Sequence, residues 1–158
     1  MAQGSGKTDE KLVEDGAVPL LESLLETTDP TILELACVAL YNISTVEECD
    51  VQMVEDQVAS CLMKVLLRFT PPLDAEGFEP DQTPMLLLVL GIFYDLTRKP
   101  ENESALEAAG LAKACSRLVS SKGVPREVLG LCSKIIYNMS WEPKNHDRMV
   151  VEEGVLSA

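Results

Sequence analysis

The sequence predicts an all-helical protein in which similar units stack into an α-solenoid. Hydrophobic residues make up 46% of the chain but aromatic residues only 4%, and the apolar content is mainly Leu, Val, Ala and Ile. This composition suits helix-on-helix packing better than a β-sheet. Two short motifs also recur along the chain, and recurrence at a fixed step is the signature of a repeat protein.

The first motif marks the start of each unit. It reads VEDGA, VEDQV, EAAGL and VEEGV at residues 13–17, 54–58, 107–111 and 151–155, with steps of 41, 53 and 44 residues. Gly16, Gly110 and Gly154 stand where a short helix must end and the chain must turn sharply, which favours positive φ. An amphipathic segment that predicts a helix follows each of the first three turns. These segments are residues 19–25, 60–67 and 113–119.

The second motif closes a longer helix in each of the first three units. It reads ALYNIS, IFYDLT and IIYNMS at residues 39–44, 92–97 and 135–140. The second unit is longer than the others because residues 70–82, with three prolines and four acidic residues, are inserted between its helices. This composition predicts a solvent-facing acidic loop.

Proline indicates where the longer helices begin. Asp29-Pro30 has the form of a helix N-cap followed by proline at the first helical position, and Thr83-Pro84 repeats that pattern in the second unit. Each unit is therefore predicted to run as short helix, turn, helix, loop and longer helix.

This pattern, a step near 42 residues with three helices, resembles the armadillo repeat. The resemblance is carried by the Gly16-Ala17-Val18-Pro19 turn, the Asp29-Pro30 start and the ALYNIS close, and later units depart from it at Gln57 and Asp95. It implies a right-handed superhelix with three full repeats and the start of a fourth. The predicted parts are an N-terminal tail at 1–7, repeats at 8–48, 49–99 and 100–142, and a truncated fourth repeat at 143–158.

In armadillo proteins the third helices line a concave groove, and asparagines near their ends hydrogen-bond the backbone of a bound peptide. By position, the resemblance places Asn42, Asp95 and Asn138 in this ladder. The alternative is that they only cap the turns between helices. Residues four and seven positions earlier share the same helix face, which adds Val38, Gly91, Lys134, Leu35, Leu88 and Leu131 to the predicted groove.

The residues four positions before the ladder limit the class of protein that the groove is expected to bind. Armadillo proteins of the nuclear-import adaptor kind have tryptophan there to hold lysine stems, whereas this chain has Val38, Gly91 and Lys134. We therefore do not expect a receptor for nuclear localisation signals. Asp95 is suited to accept an Arg or Lys from a ligand, so the expected partner is a protein with a basic or amphipathic segment.

Aromatic residues recur beside the ladder. Tyr41, Tyr94 and Tyr137 each precede a ladder position, and we expect them to pack between repeats rather than to contact a ligand. Trp141 is expected to pack against the fourth unit, with an exposed binding anchor as the alternative.

Charge also limits the class of partner. Residues 1–97 contain 18 acidic and 4 basic side chains, whereas residues 98–158 contain 8 acidic and 9 basic. A negative field repels nucleic acid and anionic membranes and favours basic protein segments. The N-terminus lacks the apolar core of a signal peptide, and the longest apolar run, residues 85–94, is too short to cross a bilayer. We expect a soluble cytoplasmic protein, with the nucleus or the cilium as alternatives.

No catalytic motif, metal site or cofactor site is expected. GSGKT at residues 4–8 lacks the first glycine and the preceding strand of a phosphate-binding loop. His146 has no thiol at the ligand spacing of a zinc site. The cysteines show no CxxC pair and are expected to be buried thiols; they are Cys37, Cys49, Cys61, Cys115 and Cys132.

The sequence thus predicts a non-enzymatic scaffold that binds an extended or helical segment of a partner in the groove. The main alternative is a structural component of a larger assembly, for example cytoskeletal or ciliary, that packs through its edges and convex face. A third alternative, a regulator of a small GTPase, has no motif behind it.

Overall fold

Helices account for all the regular structure in the part of the chain that the computed structural model describes, residues 5–55, 57–72, 78 and 81–141. They are α1 (Ser5–Glu14), α2 (Ala17–Leu24), α3 (Pro30–Ser44), α4 (Asp50–Glu55), α5 (Val58–Phe69), α6 (Thr83–Leu96), α7 (Glu103–Ala108), α8 (Leu111–Val119) and α9 (Arg126–Met139). Short 3₁₀ turns, Glu47–Cys49 and Pro100–Asn102, precede α4 and α7. The prediction of an all-α solenoid is confirmed.

The helices fall into three units that stack on one another. Each unit has two shorter helices and a longer third one, and the second helix packs on the third: α2 on α3, α5 on α6 and α8 on α9. Between units, α3 packs on α6 and α6 packs on α9. The three third helices therefore lie side by side in one continuous layer. This is the arrangement expected of a solenoid, in which each unit contacts only its neighbours.

A left-handed residue precedes the second helix of every unit. Gly16 has φ 82° and Gly110 has φ 86°, which confirms the predicted glycine turns, and Gln57 adopts φ 64° at the equivalent position. A side chain in this region is strained because its Cβ crowds the following carbonyl oxygen. The second unit therefore keeps the turn geometry of the other two units although it has Gln57 in place of glycine.

The two predicted N-caps have different outcomes. The Asp29 carboxylate accepts hydrogen bonds from the backbone N–H groups of Thr31 at 2.9 Å and Ile32 at 3.1 Å, so this cap is confirmed. The prediction for Thr83 was wrong, because Thr83 is already the first residue of α6. Gln82 precedes it in a helical conformation and makes no side-chain capping bond.

The insertion between α5 and α6 is described only in part. Its first residues, Thr70 and Pro71, are buried, and Phe78 is half-buried against the core. Arg117 of the third unit donates a hydrogen bond to the Pro71 carbonyl at 3.2 Å. The expectation of a solvent-facing loop is therefore wrong for the beginning of this segment, whose backbone joins two units. Residues 73–77, 79 and 80 lie outside the described part.

Three other predictions concern positions at the chain ends. Helix α1 begins at Ser5, within the segment that the sequence assigns to a tail. Residues 1–4, which include the first glycine of GSGKT, lie outside the described residues. The same holds for the predicted fourth repeat at 143–158, with His146 and Gly154.

Leucine-rich layers fill the core, and the thiols lie within or beside them. Cys37, Cys49, Cys115 and Cys132 are buried and Cys61 is half-buried, with none of them in a disulfide. Burial raises the pKa of Cys37 to about 11, so this thiol stays protonated at neutral pH. Among the helices of the described residues, none has both the length and the apolar character needed to span a membrane.

Candidate functional site

The predicted groove residues all belong to the layer of third helices, α3, α6 and α9. We call the side of this layer that carries them the third-helix face. On α3 the predicted residues are exposed: Leu35 is 64% accessible, Val38 is 38% accessible, and Asn42 is also exposed. On α6 and α9 they are more covered, with Leu88 and Leu131 half-buried and Lys134 exposed.

Two of the three ladder side chains form hydrogen bonds between units. Asn138 donates from Nδ2 to Thr97 Oγ1 at 3.0 Å, and Asp95 accepts at Oδ2 from Ser44 Oγ at 3.3 Å. Ser44 and Thr97 each stand two residues after the ladder position of the preceding unit, so the two bonds join equivalent positions. Their directions differ, because the Ser44 hydroxyl donates to Asp95 and the Thr97 hydroxyl accepts from Asn138. Each such bond stabilises the stack by about 1 kcal/mol.

The hydroxyl residues of the second motif act as the turn caps. Ser44, Thr97 and Ser140 each donate a hydrogen bond to the carbonyl three residues earlier, at 2.9, 2.8 and 2.8 Å. This role was not predicted from the sequence, although a hydroxyl residue closes all three copies of the motif. The turns are thus capped by the hydroxyls, while Asp95 and Asn138 tie neighbouring units together.

A tyrosine of one unit packs over a residue of the next unit. The residue that it covers stands four positions before the ladder residue of that next unit. A Cβ atom added at Gly91 would lie 2.9 Å from Tyr41 Cε2, and Lys134 Nζ lies 5.5 Å from the centre of the Tyr94 ring. The predicted packing of tyrosine between repeats is confirmed at these two positions. Gly91 is needed where it stands because the Tyr41 ring occupies the space that a side chain would fill.

Aromatic side chains remain exposed at the end of α9. Tyr137 is 61% accessible, and its ring makes an edge-to-face contact with Trp141 at 5.8 Å between centroids. Trp141 is itself exposed. The segment that was expected to cover it lies outside the described residues.

The acidic residue of the ladder is largely shielded. The Asp95 side chain is only 13% accessible, and Arg98 Nη1 lies 3.8 Å from its Oδ1. Burial raises the pKa of Asp95, while the hydrogen bond from Ser44 and the charge of Arg98 oppose that shift. Asp95 therefore already has a hydrogen-bond donor and a nearby cation within the chain, and little of its side chain is open to a ligand.

A second carboxylate, Asp50, lies close to this region and is fully buried at the start of α4. Neither of its oxygens has a hydrogen-bond partner in the described part of the chain. Burial, and after it the charge of Asp95, raises the pKa of Asp50 to about 7. A buried carboxylate without partners is costly, so this position deserves a direct test of stability.

Two open clefts border the third-helix face. The α6–α9 cleft, of about 480 Å³, is lined by Thr97, Arg98, Pro100, Glu103, Asn138 and Trp141. The α3–α6 cleft, of about 330 Å³, is lined by Pro30, Leu33, Glu34, Arg68, Phe69, Asp81, Pro84, Met85 and Leu88. Leu88 and Asn138 are the predicted groove residues that reach these clefts.

Within the described residues, no group of three or more His, Cys, Asp or Glu side chains is placed to hold a metal ion.

Comparison with known proteins connects this geometry to a family. Residues 10–45 match the armadillo/β-catenin-like repeat. The fold is similar to the crystal structure of an engineered protein from the Northeast Structural Genomics Consortium, with a TM-score of 0.78 and 21% identity over 98% of this chain and 34% of that one. The chain thus spans about a third of the length of that structure. A designed armadillo repeat protein matches at 17% identity over 96% of this chain and 76% of its own, with a TM-score of 0.46. No curated protein matches the sequence.

Proposed function

We propose that this chain binds a segment of another protein along the third-helix face, because residues 10–45 match the armadillo/β-catenin-like repeat and armadillo repeats generally bind other proteins. The observation that supports this most is the continuous layer of α3, α6 and α9. A layer of this kind offers a surface long enough for an extended or helical segment. No catalytic role is part of the proposal.

Exposed apolar side chains on α3 support the same proposal. Leu35, Val38 and Tyr41 are all exposed and follow one another at intervals of three residues, so they lie along one side of the helix. Single exposed apolar residues are normal, whereas a contiguous row is typical of an interaction surface. Burying a leucine side chain beneath a partner contributes about 1.5–3 kcal/mol.

The ladder supplies polar groups for a partner backbone. Asn42 is exposed, and its amide has both donors and an acceptor. The Asn138 amide uses one N–H for Thr97 and has a second N–H and a carbonyl oxygen. We propose that these two amides bind the partner backbone, while Asp95 contributes mainly to the contact between units.

A matched pair of exposed leucines tests the proposal. Leu35 on α3 is 64% accessible and Leu20 on α2 is 65% accessible, so replacing either by serine removes the same side chain from a similar environment. The immobilised protein would be used to capture partners, which mass spectrometry would quantify for the wild type and both variants. We expect Leu35→Ser to weaken capture about tenfold, equivalent to about 1.4 kcal/mol, and Leu20→Ser to leave it unchanged.

The reverse result would favour the second candidate, a structural component that packs through its convex face. The exposure of Leu20 and Leu24 on α2 is the observation that keeps this candidate open. Loss of partners with Leu20→Ser and retention with Leu35→Ser would contradict binding at the third-helix face. Circular dichroism of both variants is needed beforehand to establish that they remain folded.

A further inference from the structure

The α3–α6 cleft has an apolar floor of limited size. Leu33 at its base is 1% accessible, and Phe69, Met85 and Leu88 are half-buried around it. Its volume of about 330 Å³ is at the lower end of the range of small-molecule sites, about 300–1,000 Å³. The space therefore suits one or two side chains of a peptide better than a cofactor.

Helix N-termini border this cleft but do not favour an anion. Backbone N–H groups at the start of a helix normally attract negative charge. At the start of α3, however, Pro30 has no N–H, and Asp29 already accepts hydrogen bonds from Thr31 and Ile32. Pro84 likewise removes an N–H from the first turn of α6. An acidic or phosphorylated ligand would find few donors here.

The described rim of the cleft carries two carboxylates and one guanidinium, and so has net negative charge. Glu34 and Asp81 are exposed lining residues, and neither forms an ion pair with another described residue. Arg68 is the cation at the rim, and its guanidinium donates to the Thr27 carbonyl at 3.2 Å and lies 5.7 Å from the centre of the Phe69 ring. Its position is thus fixed by contacts other than the two carboxylates, which remain available to a basic ligand.

We propose that this cleft takes one bulky apolar side chain of a partner segment while Glu34 and Asp81 bind a Lys or Arg of the same segment. The occupant is an amphipathic basic segment, because its two parts match the apolar floor and the acidic rim. The inference rests on the proposed function and sharpens it, since Leu88 connects the cleft to the third-helix face. It places charge recognition at the rim rather than at Asp95.

The test uses a defined probe, a fluorescein-labelled 12-residue peptide with one Phe and two Lys residues three and four positions after it. Binding to the full chain is measured by fluorescence anisotropy. The double variant Glu34→Lys/Asp81→Lys reverses the rim charge, and Glu48→Lys/Glu101→Lys makes the same charge change at exposed acids outside the cleft. We expect Kd to rise at least about tenfold for the first double variant and less than about twofold for the second. Peptides with Phe→Ser or Lys→Glu should bind the wild type at least about tenfold more weakly.

Several results would overturn the proposal. Equal weakening by both double variants would show nonspecific attraction to an acidic protein. Binding only after Leu73→Ser, a change in the chain's own insertion, would show that the insertion fills the cleft. Dissociation of a dimer by Glu34→Lys/Asp81→Lys in sedimentation would identify a second copy as the occupant.

The variant Leu35→Ser distinguishes failure of the proposed function from failure of the cleft proposal. If Leu35→Ser weakens peptide binding and Glu34→Lys/Asp81→Lys does not, the third-helix face binds the segment and the cleft proposal fails. If neither variant weakens binding, both proposals fail.

Discussion

Replacing Asp50 by asparagine is expected to stabilise this protein above neutral pH. The Asp50 side chain is inaccessible and its oxygens have no hydrogen-bond partner among the described residues. Burial raises its pKa from the ordinary 3.8 to about 7, and the charge of Asp95 on α6 adds to this. Glu47 also raises the pKa, while Arg98 and Lys99 lower it. Lys99 Nζ is itself paired with Glu47 Oε1 at 2.9 Å, which limits how far Lys99 can lower the pKa of Asp50.

The sign and size of the effect follow from these pKa values. A pKa that is higher in the folded chain means that folding favours the protonated acid, so stability falls as the pH rises from about 4 to about 7. At about 1.36 kcal/mol per pH unit, the loss reaches roughly 4 kcal/mol at pH 8. The positive end of α4 favours the carboxylate by only about 0.3–1 kcal/mol. Desolvation therefore dominates, and a neutral amide of similar shape avoids its cost.

Urea unfolding followed by circular dichroism at pH 5.0, 6.5 and 8.0 would test this. The lowest pH stays above the isoelectric point near 4.4, where the protein is least soluble. We expect the stability advantage of Asp50→Asn over wild type to widen by about 2.5 kcal/mol between pH 5 and pH 8. The exposed acid two residues earlier provides a control, Glu48→Gln, which should show no such widening. An advantage that does not change with pH, or a variant less stable than wild type at pH 8, would refute the assignment.

Two further predictions concern backbone positions. Gln57→Gly should raise the free energy of unfolding by about 1 kcal/mol, because φ 64° strains any residue with a side chain; a lower urea midpoint would contradict this. Gly91→Ala should gain about 1 kcal/mol of helix propensity only in a Tyr41→Ala background, since the new Cβ otherwise meets the Tyr41 ring at 2.9 Å. A double-mutant cycle in urea measures the difference, and equal gains in both backgrounds would argue against the contact.

The order of helices could be predicted from the sequence because local residues determine each boundary. Gly16 and Gly110 allow the left-handed turn, and Asp29 caps α3 through bonds to residues two and three positions later. Thr83 failed as a cap because Gln82 already has helical backbone angles and α6 begins at Thr83 itself.

The candidate site was predictable only in part, since its contacts join residues far apart in sequence. The helical period correctly placed the predicted groove residues on the third helices, α3, α6 and α9, although their role in binding stays a prediction. It did not indicate that Ser44 binds Asp95, 51 residues away, or that Thr97 binds Asn138, 41 residues away. Asp50 was equally hard to predict, because an acid that follows Glu47 and Glu48 so closely in sequence is normally solvated, whereas Asp50 is buried at the start of α4.

These contacts change how binding to the third-helix face should be tested. Asp95 and Asn138 hold neighbouring units together, so substitutions there alter the spacing of the third helices as well as any ligand contact. Asp95 is also a source of the raised pKa of Asp50, so removing its charge changes stability in a pH-dependent way. Loss of binding in such a variant would not identify a ligand contact. Leu35 and Glu34 are exposed and take no part in the hydrogen bonds between units, so a loss of binding at these positions reports on the partner itself.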